Sequence, residues 1–137
     1  MRLLLGAITL ASLAGAPLHA QADGILGTWR GTSICVKEDW NSACNDEQVI
    51  YYVTRIPNQP DSIALDAQKV VGGKPEPMGI LTLGYDAAAK AWAGEWRNAR
   101  YHILWTYQVS GDALTGTLFQ LPSRRVARHV TAHREQP

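Results

Sequence analysis

Four groups of residues in this 137-residue chain are of types that can do chemistry. Ser33, in "GTSIC", is a candidate nucleophile, but it lacks the second glycine of a Gly-x-Ser-x-Gly elbow and the helix that must follow it. Asp46 and Glu47 are adjacent carboxylates. On a strand they point to opposite faces, so they cannot act as acid and base on one substrate, and a solvated rim is their expected place. His129 and His133 lie four apart among Val126, Arg128, Val130 and Ala132, an alternation that reads as a strand. They then share a face but sit roughly 13 Å apart along it, too far for one metal ion. Cys35 and Cys44 lack a second Cys or His pair at ligand spacing, and no phosphate loop or zinc signature occurs. The expectation is therefore no enzyme, no metal and no cofactor.

What remains is binding. In the segment 100–109, Tyr101, Ile103, Trp105, Tyr107 and Val109 fall on one face of a strand, and His102, Leu104, Thr106 and Gln108 on the other. Trp92 and Trp96 flank Gly94 on the preceding strand and can floor the same cavity, so the candidate ligand-lining set is Trp92, Trp96, Tyr101, Trp105 and Tyr107. An eight-stranded barrel is wide enough either to be filled by side chains or to hold one small ligand, and both readings stay open. Glu95 and Arg97 then face water; with the tryptophans reversed, Glu95 would be buried and need Arg97 or His102 as partner. Tyr51 and Tyr52 split between the two faces.

These residues need elements to hold them. Arg2, the apolar run 3–14 and the small residues of "APLHAQADG" read as an export leader over 1–22, cleaved after Ala20 or, as the better small-x-small match, after Ala22. The run is too short for a retained membrane span. One domain, 23–137, follows. Lys and Arg number 13 and Asp and Glu 12; losing Arg2 with the leader leaves twelve of each, a balance that points to no nucleic-acid partner. An exported, periplasmic or secreted monomer is expected, and in an oxidising compartment Cys35 and Cys44 pair. The closed loop "CVKEDWNSAC" would contribute roughly 2.5 to 3 kcal/mol if unstrained. Trp40 in that loop is a candidate contact for a protein partner.

Period-two alternation recurs along the mature chain with no sustained helical period. Strands are expected at 25–36, 47–55, 62–67, 68–71, 78–85, 91–96, 100–109, 113–121 and 126–133. Short turns such as "PNQPD", "VGGKPEP" and "SGD" join antiparallel neighbours. The result is an all-β, single up-and-down antiparallel barrel of about eight strands, closed because closure removes both raw edges. Gly27 and Gly31 lie two residues either side of Trp29 on one face, leaving room for its indole at a barrel end.

At Gly27-Thr28-Trp29 the chain resembles the lipocalin and wider calycin families, whose first strand carries a Gly-x-Trp. It is also similar to small exported bacterial lipocalin-like (calycin-type) β-barrel proteins of unassigned function, in "GTWRGTSICV", "CNDEQVIYYVTR" and "GDALTGTL". The resemblance implies a barrel whose interior often takes a small apolar ligand. It also implies a basic residue near the last strand packed across Trp29, and Arg128 is the choice over Arg124 and Arg125. The leading expectation is an exported binding protein for a small, largely apolar ligand. The alternative is a filled barrel that binds a protein, as disulfide-bearing bacterial inhibitors of secreted metalloproteases do, through residues 23–26 or the Trp40 loop.

Overall fold

A computed structural model describes residues 18–36 and 44–136. A helix, α1 (Leu18–Ile25), leads into eight strands: β1 (Gly27–Cys35), β2 (Glu47–Ile56), β3 (Gln59–Val71), β4 (Lys74–Asp86), β5 (Ala91–Arg97), β6 (His102–Ser110), β7 (Ala113–Gln120) and β8 (Arg125–Arg134). Each strand pairs antiparallel with its neighbour in sequence, and β8 returns to β1, closing the barrel. Among the described residues this is all-β apart from α1, and Cys35 and Cys44 are joined in a disulfide.

Alternation along each strand decides what faces in. On β1 the inward set is Trp29, Gly31, Ser33 and Cys35; on β2 it is Glu47, Val49, Tyr51 and Val53; on β8 it is Arg128, Val130, Ala132 and Arg134. Closure depends on Gly31, which stands opposite Ala132 at the β1–β8 seam. A Cβ there would lie 2.0 Å from the Thr131 carbonyl oxygen. The missing side chain at Gly31 thus makes room for the backbone of β8, where room for the Trp29 indole was expected.

The longest hairpin differs from the sequence expectation. Strands drawn separately at 62–67 and 68–71 are one continuous β3, with an irregularity between Ala67 and Gln68, and β4 begins at Lys74, four residues before its expected start. Pro60, Pro75 and Pro77 made these stretches read as turns. Pro75 and Pro77 instead pair with Val70 and Gln68 of β3 alone, on a stretch of β4 with no ladder to β5, where a missing N–H costs nothing.

One end of the barrel is packed solid. Trp29, Val53, Ile63, Leu65, Leu83 and Leu114 are fully buried there, together with Ala22 and Ile25 of α1. The Trp29 indole N–H donates to the Ile25 carbonyl at 2.8 Å. Arg134 completes the plug: its Nη1 donates to Leu26 O and its Nη2 to Gly24 O, each at 2.6 Å, satisfying carbonyls that the end of a helix leaves open. Its guanidinium lies 4.2 Å from the Trp29 ring centroid. The cation across the tryptophan is therefore Arg134 and not Arg128, because Arg128 lies six residues back along β8, toward the opposite end.

Candidate functional site

Above the plug, Tyr51 and Tyr107 meet edge to face across the barrel, ring centroids 5.8 Å apart. Gly116 permits this placement, since a Cβ there would lie 2.7 Å from the Tyr107 ring. Burial pushes both phenols well above the ordinary tyrosine pKa, so both hydroxyls stay protonated. The interaction between the two hydroxyls favours ionisation of Tyr51 without offsetting its burial. Two neutral phenols floor whatever space lies above them.

That space is a cavity of about 380 Å³. Trp96, Ile103, Trp105 and Leu118 form one wall, with Trp105 stacked on Tyr107 at 5.5 Å. Ala67, Met78, Ile80 and Leu81 of the β3–β4 hairpin form the other. The mouth opens where β4 and β5 part. Their ladder runs only from Gly84–Asp86 to Ala91–Ala93, and beyond it Ile80 is 69% exposed, Trp96 44% and Met78 43%.

The third side is polar. Arg128 Nε donates to Ser33 Oγ at 2.8 Å, and Nη2 donates to Ser33 O at 3.1 Å and Asn45 O at 2.8 Å. Nη2 also meets Glu47 Oε2 at 3.3 Å, and Nη1 reaches Cys44 Sγ at 3.1 Å. Glu47, expected on a solvated rim, is instead half-buried in this cluster, because Ser33 and Glu47 are direct partners across the β1–β2 ladder with their side chains inward. Asp46 takes the other direction and accepts from the Cys35 N–H at 2.9 Å. The disulfide therefore stands directly behind the polar wall.

Of the five expected lining residues, Trp96, Trp105 and Tyr107 are brought together. Trp92 and Tyr101 are not on this cavity's wall. Strand parity gave the right face for Trp92, but it pairs with Tyr107 and lies below the floor, against Tyr85 at 5.2 Å. Tyr101 precedes β6, where its N–H donates to Asn98 Oδ1 and Arg100 lies over its ring. Parity does not report height along the barrel, and height separates the two ends. Ser33, Glu47 and Arg128 were each visible in the sequence, but in other roles. Their common inward parity near one end was the available clue.

The remaining candidates lie elsewhere. Glu95 faces solvent and pairs with His102 Nε2 at 3.0 Å. His129 and His133 are exposed on the outer face of β8. Among the described residues, no group of three or more His, Cys, Asp or Glu could hold a metal ion, and no helix is long and apolar enough to cross a membrane. Trp40 lies outside the described residues.

Fold and site together define a closed eight-stranded antiparallel barrel with one plugged end and one hollow end. The crystal structure of Rv2717c from M. tuberculosis is similar to it, with a TM-score of 0.56 and 12% identity over 88% of this chain and 99% of that one. At that identity the likeness is one of fold. No family model and no curated protein matches the chain.

Proposed function

We propose that this is an exported, lipocalin-like binding protein for a small, largely apolar ligand held at the hollow end. The observation that carries the reading is the cavity of about 380 Å³, walled mainly by apolar and aromatic side chains and open between β4 and β5. The Gly-x-Trp on β1 and a last-strand arginine across it are further support, with Arg134 in the part first given to Arg128. The Cys35–Cys44 disulfide suits an oxidising compartment outside the cytoplasm. Binding needs no covalent step: the ligand gains from leaving water between Trp96, Trp105 and the hairpin, and the polar wall sets its orientation.

Native mass spectrometry of the protein, purified gently from the cells that make it, tests this reading. A reproducible added mass of a few hundred daltons is expected, and it should disappear in Trp105→Glu, which places a charge in the apolar wall. A bare mass under the same conditions, or an adduct that survives Trp105→Glu, would count against it.

A further inference from the structure

The polar wall has a composition that selects among apolar ligands. Arg128 is already engaged by Ser33 Oγ, the Ser33 and Asn45 carbonyls, Glu47 and the Cys44 sulfur. Its charge is balanced locally by Glu47. A ligand carboxylate would therefore have to displace Glu47, leaving two carboxylates competing for one guanidinium in a half-buried place. What the wall still offers is different. Ser33 Oγ accepts from Arg128 and so keeps its own proton to donate. Glu47 touches Arg128 through Oε2, which leaves Oε1 as an acceptor.

A hydroxyl donor, Ser33, and a carboxylate acceptor, Glu47, beside a neutral ion pair match a group that both accepts and donates. A hydroxyl does both, a carboxylate or an ether only accepts, and an ammonium would meet Arg128. Resting on the ligand-binding reading above, we infer that the cavity takes an uncharged, mainly apolar molecule bearing a hydroxyl, and that the Glu47–Arg128 pair turns away the corresponding carboxylate. Glu47 is then the residue that sets specificity. Its negative charge already occupies the place an acidic head group would need.

Three probes sharing one ring system, 2-naphthol, 2-methoxynaphthalene and 2-naphthoate, can be titrated at neutral pH into the whole protein and followed by ligand-observed NMR. The naphthol should bind at least tenfold tighter than the naphthoate and measurably tighter than the ether. Glu47→Gln should shrink the preference over naphthoate by a similar factor, with folding checked by circular dichroism. The wild-type comparison decides even if that variant does not fold. Naphthoate binding as tightly as naphthol overturns the inference, as does an unchanged preference in folded Glu47→Gln. An ether equal to the naphthol removes the hydroxyl but leaves ligand binding standing. Failure of all three probes overturns both.

Discussion

Arg128 and Arg134 sit six residues apart on the inward face of β8, roughly 20 Å along the strand, and the barrel ends they serve are built in opposite ways. Arg134 lies over an indole and hydrogen-bonds the carbonyls of Gly24 in α1 and Leu26 just beyond it, so its charge closes a packed end. Arg128 is held by a hydroxyl, two carbonyls, a carboxylate and a disulfide sulfur, and its charge borders empty space. The difference follows from what each neighbouring strand presents. At the plugged end the inward residues are large and apolar and a helix fills the centre. At the hollow end β4 and β5 separate, no helix among the described residues covers the gap, and Ser33 and Glu47 supply polar atoms.

The two ends share one seam, between β1 and β8, and its loss should be the most severe. Gly31→Val places side-chain atoms where the Thr131 carbonyl already lies, so β1 and β8 cannot pair, and no cooperative thermal transition should remain. A smaller effect should separate the two arginines. Arg134→Met strands helix carbonyls in a packed end and should cost about 2 kcal/mol in urea unfolding. Arg128→Met leaves its acceptors beside a cavity open to water and should cost about 1 kcal/mol. Equal losses would mean that the two ends are not different environments.

Two of the five tyrosines, Tyr51 and Tyr107, are held neutral by burial. Because folding raises their pKa, their stabilising contribution is complete below the ordinary phenol value of about 10 and is lost above it, as the unfolded chain ionises first. Unfolding free energy should fall above that pH by up to about 1.4 kcal/mol per pH unit for each phenol. Tyr51→Phe should flatten the slope. The smallest effect is at the mouth: Trp96→Ala should change stability by no more than about 0.5 kcal/mol, since the ring is already 44% exposed. It should nevertheless weaken 2-naphthol binding by roughly tenfold.

The strands between 78 and 133 and the closed topology were legible from alternation and short turns, because a side-chain period of two reports a face directly. The same period placed Trp105 and Tyr107 inward and split Tyr51 from Tyr52 correctly. Height was not legible. Trp92 and Trp96 share a face, yet one lies under the Tyr51–Tyr107 floor and the other at the mouth, because position along the axis depends on the accumulated register of several ladders. The same limit gave Trp29 the wrong arginine on β8. Glu47 escaped for another reason: a carboxylate beside another carboxylate looks solvated until the cation on β8, on the far side of β1, is known. α1 lay hidden because residues 18–22 overlap the expected end of an export leader, and its ties to the plug, the burial of Ala22 and Ile25 and the hydrogen bonds from Trp29 and Arg134, are tertiary.

The most direct measurement of the contrast between the ends is methyl NMR of the protein during titration with 2-naphthol. Methyl resonances of Leu81, Ile103 and Leu118 should shift in proportion to occupancy, while those of Ile63, Leu65 and Leu114 stay in place. Shifts centred on the second group, or none in the first at saturating probe, would contradict a barrel that is filled at the Trp29 end and hollow at the Arg128 end.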